Sequence, residues 1–321
     1  MTISILIAVK TWQKNLENCV AKCLELDYPD FEIIILPDAT FDTKDILSRN
    51  IPIKVIPTGQ VNPADKRDQG LKFAKGEIIA FIDDDAYPDK NWLTCAVENF
   101  KDKEVGAVGG PAVTPETDSL RQQASGKIYS SFLVSGNFTY RYIPGPRRKS
   151  DDLPSCNLLI RKSVFENLGG FDTKLWPGED TKLCLDIVHK LGLKIVYDPQ
   201  VLVYHHRRPV YKSHLKQIAN YALHRGYFVK KYPETSLKIS YFIPSLFLIG
   251  LIFGFVLSVF NLQFRSLYLS SVILYSFLVF VSSINKNFML FLLTFSGIIF
   301  THLTYGMFFI KGLISGRLKE E

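Results

Sequence analysis

Glu77-Ile78-Ile79-Ala80-Phe81-Ile82-Asp83-Asp84-Asp85 is the stretch whose reading decides the fold. The apolar run has the length and composition of a buried strand. The three carboxylates that end it repel one another, and they are tolerated only where water or a cation neutralises them. In open α/β sheets the C-terminal ends of the strands are where ligands bind. Closely spaced hard oxygens suit Mg²⁺ or Mn²⁺, and such an ion can carry a diphosphate. The triplet alone leaves a solvated acidic turn as the alternative.

Working outward, residues 3–9, 31–36 and 53–56 read as further buried strands, the second ending at Pro37-Asp38. Between them, residues 15–26 carry Leu16, Val20, Cys23 and Leu24 at helical spacing. Residues 62–75 read as a helix with Leu71 and Ala74 facing inward and Gly76 closing it. A helix over 89–100 and a strand over 105–108 follow. This alternation predicts an α/β fold with a Rossmann-like, mostly parallel mixed sheet and helices on both faces. Neither Gly-x-Gly-x-x-Gly nor Gly-x-x-x-x-Gly-Lys-Ser/Thr occurs, which disfavours a dinucleotide fold and a P-loop NTPase. Residues 111–150 are looser, with an interfacial helix expected around 125–135. From about Pro154 a second compact part begins: a strand at 157–160, a helix at 163–168 and the turn Gly169-Gly170-Phe171-Asp172. Trp176-Pro177-Gly178-Glu179-Asp180, a helix over 180–190 and short strands at 194–197 and 201–204 complete it.

The chain has 321 residues and a formal charge of +7, and its excess charge is local. Residues 241–260 carry no charge, and 266–284 and 288–310 are similar. Each is long enough to cross a hydrocarbon core of about 30 Å. Just before them stand Arg207, Arg208, Lys212, Lys216, Arg225, Lys230, Lys231 and Lys238 against Glu234 alone. Such a block marks the cytoplasmic side and attracts anionic headgroups. A solvated basic helix face is the plain alternative, and nucleic-acid binding is disfavoured because nothing else points to base recognition. Three crossings would put Lys311, Arg317 and Lys319 outside, against the positive-inside tendency. Met1-Thr2-Ile3-Ser4 leads straight into a strand, so no signal peptide is expected. The five scattered cysteines lack zinc-ligand spacing and fit a reduced, cytosolic setting.

Taken in order, these motifs resemble family 2 glycosyltransferases with the GT-A fold. The matching features are Ser4-Ile5-Leu6-Ile7, Asp38, Lys66-Arg67-Asp68-Gln69-Gly70, the stretch 76–85, Gly169-Gly170-Phe171-Asp172 and Gly178-Glu179-Asp180. The resemblance covers roughly residues 3–208 and implies inverting transfer from a nucleotide-diphosphate sugar, UDP being the first expectation. It implies Asp85 as ligand to Mn²⁺ or Mg²⁺, with Asp83 on the ribose or a metal-bound water and Asp84 in support. Asp38 would hydrogen-bond the base, a helix cap being its bland reading. Arg67 would lie against base and diphosphate, Lys66 being a surface charge. The first strand exits through Ala8-Val9-Lys10-Thr11 rather than the family's usual Pro-Thr-Tyr-Asn, so Ala8 and Thr11 are nucleotide contacts by position only. Asp180 is the implied general base and Glu179 orients the acceptor or a nearby loop; capping of the following helix is the alternative for both. His205 is a further metal ligand by resemblance, or else an interfacial histidine. Arg207 and Arg208 would hold donor or lipid-carrier phosphate, and Trp176 would stack on a sugar or pack in the core.

Processive relatives carry Gln-x-x-Arg-Trp on the helix leading to the membrane. Here Lys216-Gln217-Ile218-Ala219-Asn220-Tyr221-Ala222-Leu223-His224-Arg225-Gly226 lacks the Trp, which predicts transfer of one sugar. The expected organisation is a catalytic domain over 1–208, a basic amphipathic juxtamembrane helix over 209–238, about three membrane helices over 239–312 and a tail over 313–321. A multi-pass membrane protein with its catalytic domain in the cytoplasm follows, acting on a polyprenyl-linked or other glycan acceptor, with self-association left open. The other readings are an inactive sugar-nucleotide-binding membrane subunit and a nucleotidyltransferase. The second is disfavoured because the loop Val9-Lys10-Thr11-Trp12-Gln13 holds no Gly.

Overall fold

The computed structural model describes residues 1–41 and 51–319, so Glu320 and Glu321 of the expected tail lie outside the described residues. The chain divides into two compact units, residues 1–113 with 140–206, and residues 114–139 with 207–319. The segment 114–139, which the sequence assigns to the catalytic part, therefore belongs to the second unit, as does Arg207.

The first unit opens β1 (Ile3–Ala8), α1 (Lys14–Leu24), β2 (Phe31–Leu36), β3 (Ile53–Val55), α2 (Pro63–Leu71), β4 (Ile78–Asp83), β5 (Ala86–Pro88), α3 (Trp92–Asn99), β6 (Val105–Gly109) and β7 (Ala112–Val113). After α4 (Leu120–Ser130) and α5 (Phe132–Ser135) of the second unit, it continues with β8 (Arg148–Ser150), β9 (Asn157–Arg161), α6 (Lys162–Asn167), α7 (Glu179–Leu185), β10 (Lys194–Tyr197) and β11 (Val203–His205). Eight strands form one sheet in the order β3-β2-β1-β4-β9-β6-β10-β8, and β5-β11-β7 form a second, small sheet. Strands β1, β2 and β3 are parallel to one another and to β4, whereas β9 runs antiparallel to both β4 and β6. The mixed, mostly parallel sheet read from the sequence is thus present.

Every residue of β1 and β2 is buried, and the strands are apolar but for Ser4 and Glu32, which hydrogen-bond each other at 2.8 Å. Register then fixes the site. Ala8 pairs with Leu36 on one side and with Asp83 on the other, so β1, β2 and β4 end level. The small sheet is tied in by Asn157, whose amide donates to the carbonyls of Pro111 and Val201 and whose Oδ1 accepts from Trp92 Nε1 at 2.8 Å. Two boundaries differ from the sequence reading. Helix α2 stops at Leu71, and Gly76 does not cap it: Gly76 lies against β1, where a Cβ would stand 2.4 Å from Ser4 N. The helix expected over 180–190 is α-helical only to Leu185 and widens into a π-helical turn at Asp186–Lys190.

In the second unit, α8 (Lys212–Lys231) and α9 (Pro233–Ser236) precede α10 (Ile239–Phe260), α11 (Leu262–Ser283) and α12 (Phe288–Ile314). The last three, 22, 22 and 27 residues, are long and apolar enough to cross a membrane. Helices α8 and α12 meet at glycines: a Cβ on Gly226 would lie 2.2 Å from Phe309 O, and one on Gly312 would lie 2.1 Å from Leu223 O.

Candidate active site

Strand β4 delivers Asp83 to the sheet edge, and the chain turns there into β5. Strand β11 pairs antiparallel with β5, His205 opposite Ala86, which sets the imidazole beside the acidic turn. His205 Nε2 lies 3.1 Å from Asp85 Oδ1, and the His206 amide donates to Asp85 O at 2.9 Å. Asp83, Asp85 and His205 each offer a ligand atom, all within 4.8 Å of one another. Two carboxylate oxygens and one imidazole nitrogen form a donor set that fits a divalent ion such as Mn²⁺. Asp84 instead accepts from the Gln13 side chain. Burial, with the charges of Asp85 and Asp83 adding, pushes its carboxyl up to about 7.

Arg67 is the hub behind this turn. Its side chain is 1% exposed, with the guanidinium 5.6 Å from the Phe81 ring centroid and 5.9 Å from that of Phe171. It donates to Asp83 Oδ1 at 2.5 Å and to Ser155 Oγ at 2.9 Å, and it stands 3.8 Å from Glu179 Oε1. Arg67, expected against base and diphosphate, is thus buried between the side chains of Asp83, Ser155 and Glu179.

Lys66, expected at the surface, is likewise 3% exposed. Helix α2 starts at the Asn62 cap, and its first turns carry the Lys66 ammonium to Asp38 Oδ1 at 2.6 Å, Thr58 Oγ1 at 2.9 Å and Gly59 O at 3.1 Å. Asp38 is thus held at the end of β2 by a buried cation, while Ala8 ends β1 and Thr11 is exposed on the loop beyond it. On the next turn of α2, Asp68 Oδ1 accepts from the Phe171 amide at 3.1 Å and braces the Gly169-Gly170 turn, both glycines having positive φ.

That turn leads to Gly178, whose φ of 121° suits glycine alone, and then to α7. Asp180 sits in the first turn of α7, its carboxylate accepting from the Thr181 amide at 2.8 Å and the Ser155 amide at 3.3 Å. Ser155 thus links Arg67 to Asp180, a role that no motif in the sequence announces. Glu179 is buried beside Arg67, and the Gly178 amide donates to it at 3.0 Å. Burial raises its carboxyl well above the usual range, the Asp180 charge adding to this and Arg67 opposing it. Trp176, 47% exposed ahead of Gly178, is not core packing. Of the predicted site residues, Arg207 and Arg208 fall in the second unit, where Arg207 lies 5.6 Å from the Tyr129 ring centroid and donates to Thr114 Oγ1 at 3.4 Å.

Comparison with known proteins agrees with this geometry. A mannosyltransferase of Pyrobaculum calidifontis, solved with GDP-Man and Mn²⁺, superposes with a TM-score of 0.62 at 16% identity, over 98% of this chain and 88% of that one. That likeness shows the GT-A fold. A pre-mycofactocin glycosyltransferase of Mycobacterium tuberculosis is 24% identical over 237 residues, 72% of this chain and 48% of the relative, so the chain spans about half of its length. A dolichyl N-acetyl-alpha-D-glucosaminyl phosphate 3-beta-D-2,3-diacetamido-2,3-dideoxy-beta-D-glucuronosyltransferase of Methanococcus voltae is 23% identical over 243 residues, 71% of this chain and 74% of that protein. The family model for glycosyl transferase family 2 matches residues 4–169, more than half of the chain. By that match the chain belongs to glycosyl transferase family 2.

Proposed function

We propose that this protein is an inverting glycosyltransferase that moves one sugar from a nucleotide-diphosphate donor to a polyprenyl-linked acceptor at the cytoplasmic face of a membrane. The observation that carries this reading is the cluster of Asp83, Asp85 and His205 at the ends of β4 and β11, with Asp180 in the same unit at the start of α7. Mn²⁺ or Mg²⁺ held by those three side chains would neutralise the charge that grows on the departing diphosphate.

The chain's own groups do the rest. Asp38 accepts an N–H from the base, and its Lys66 partner keeps it an acceptor. The Ala8 backbone and Thr11 border the nucleotide. Arg67 positions Asp83 and Glu179 rather than touching the donor. Asp180 takes the proton of the acceptor hydroxyl, whose oxygen attacks the anomeric carbon opposite the leaving group. Its orientation is fixed by two backbone amides and its charge is favoured by the helix start. Burial raises the Glu179 carboxyl, the Asp180 charge adding and Arg67 opposing, which favours Asp180 as the proton acceptor. Trp176, exposed at the approach to α7, offers a face for a sugar.

The polyprenyl acceptor is supported by three apolar helices of membrane-spanning length, the basic helix α8 and the dolichyl-phosphate substrate in the name of the Methanococcus relative. The test is nucleoside-diphosphate release by detergent-purified protein. Mn²⁺ or Mg²⁺, UDP-, GDP- and dTDP-sugars and polyprenyl-phosphate or soluble acceptors would be supplied in turn. Turnover with one donor, abolished by chelation and dependent on the lipid acceptor, is the expected result. Transfer to soluble acceptors alone would overturn the lipid-acceptor reading, and release of inorganic diphosphate would point to nucleotidyl transfer instead.

A further inference from the structure

We infer that the chain crosses the bilayer twice rather than three times. Helices α10 and α11 form the crossing hairpin, and α12 lies in the membrane interface on the same side as α8, with one apolar face against lipid.

The partners of α12 argue first. In its first half Gly297 backs onto Ile128 of α4, and Ser296 Oγ meets Tyr211 OH at 2.7 Å. In its second half Thr301 Oγ1 lies 2.9 Å from His214 Nε2 of α8, Phe309 O abuts Gly226, and Ser315 O accepts from Lys230 at 2.5 Å. Helix α4 carries Arg121 and Lys127, and α8 carries Lys212, Lys216, Arg225, Lys230 and Lys231. Each such charge costs about 3 kcal/mol at the centre of a bilayer. Helices so charged stay near water, and α12 is packed along them from Gly297 to its end.

The inclination of α12 argues second. Helices α10 and α11 are antiparallel: Phe247 stacks near Tyr275, Gly254 meets Tyr268, and Arg265 donates to Ser258 O near the tip. Helix α12 touches α10 at residues 242–248 and α11 at 275–280, which is one end of the hairpin. Phe291 meets Phe280 and His302 meets Tyr275 on α11, so this part of α12 moves away from the hairpin's base; His302 meets Phe247 and Phe309 meets Phe242 on α10, so the next part moves back toward it. Phe291 and Phe309 are about 27 Å apart along the helix at about 1.5 Å per residue, yet both lie near the base. A third crossing would continue away from the base; α12 instead runs across it.

Exposure argues third. Phe288, Met289, Leu292, Phe300, Met307 and Ile314 are exposed and fall on one side of α12, and Thr294, Thr301, Phe309 and Gly312 are buried on the other. The exposed side is apolar and suits contact with lipid, while the other side is packed on protein. Two crossings also bring Lys311, Arg317 and Lys319 to the side of α8, where Lys286 already stands, and leave Arg265 as the cation of the far turn. The conflict with the positive-inside tendency then disappears.

The test is sidedness in sealed inverted membrane vesicles. Single cysteines are introduced as Lys216→Cys, Gln263→Cys and Gly316→Cys in a full chain carrying Cys95→Ser, because the other four native thiols are buried. A membrane-impermeant maleimide should label 216 and 316 from one side and 263 only after permeabilisation. Labelling of 316 together with 263 would establish three crossings and overturn the inference. As a check free of substitutions, epitope tags are attached to both termini of the unaltered chain. Two crossings leave the tags on one side, and three place them on opposite sides.

Discussion

Lys66 is the residue whose placement changes most between sequence and structure. Beside Arg67 in a polar stretch it reads as a solvated charge, yet helix α2 turns it under the end of β2. Removing one partner of a buried ion pair is costly because the other charge stays unpaired. Asp38 is 23% exposed, so water screens it, and Lys66→Met should cost only about 1–2 kcal/mol of stability. If Asp38 reads the base, the same variant should raise KM for the donor roughly tenfold, about 1.4 kcal/mol, with kcat little changed. An unchanged KM would remove Asp38 from the nucleotide site. Asp68 supports the Gly169-Gly170 turn at an electrostatic cost, since burial pushes its carboxyl up to about 6 from 3.8. An acid whose folded pKa is raised loses stability as pH rises from the unfolded to the folded value. Asp68→Asn keeps an acceptor for the Phe171 amide and removes that loss. It should match the parent near pH 4 and exceed it above pH 6 by up to about 3 kcal/mol. Denaturant melts of the two proteins at both pH values check this. Gly170→Ala should destabilise at every pH, because its Cβ would stand 2.4 Å from Asp68 Oδ1 and its φ is +86°.

At the scale of elements, the strands of the first unit were legible because strands covered on both faces are predominantly apolar runs, as β1, β2, β4 and β9 are with only Ser4, Glu32 and the polar ends Asp83, Asn157 and Arg161 excepted. The acidic turn and Gly178-Glu179-Asp180 were legible as well, since carboxylates at a strand end and a glycine before a helix leave local marks. What sequence could not give were contacts between distant segments: Lys66 with Asp38, Arg67 with Glu179, and Ser155 between Arg67 and Asp180. The third apolar run was legible as a helix of membrane-spanning length, but length and hydropathy do not reveal that α12 packs on the charged helices α4 and α8. Its seam with α8 depends on Gly226 and Gly312, and Gly312→Ala should force the two backbones apart and cost about 2 kcal/mol or more. His214 on α8 is fully buried between Ser125 Oγ and Thr301 Oγ1, near the Tyr129 ring, and burial together with the Arg207 charge brings it down to about 4. A histidine held neutral in the fold is destabilising once the unfolded chain binds a proton. The His214 contribution to stability should therefore fall as pH drops from 6.5 towards 4, by up to about 3 kcal/mol, opposite in sign to that of Asp68, so His214→Gln should gain on the parent as the pH is lowered. A stability difference between parent and His214→Gln that is the same at pH 5 and pH 7.5 would contradict this burial.

For the molecule as a whole, one unit carries the level strand ends and the acidic cluster, and the other carries the apolar hairpin, the basic helices and the lipid-facing side of α12. This division suits an enzyme whose donor is soluble and whose acceptor stays in the bilayer. The central claim is that donor binding and proton abstraction belong to different carboxylates, Asp85 and Asp180. Its most direct test is calorimetric titration of the matching nucleoside diphosphate with Mn²⁺ into the parent, Asp85→Ala and Asp180→Asn proteins, with turnover measured on the same preparations. The account predicts that Asp180→Asn binds like the parent yet loses at least about a hundredfold in kcat, as expected for a general base. It predicts that Asp85→Ala loses metal-dependent binding itself. Normal turnover in Asp180→Asn, or unimpaired metal-dependent binding in Asp85→Ala, would contradict it.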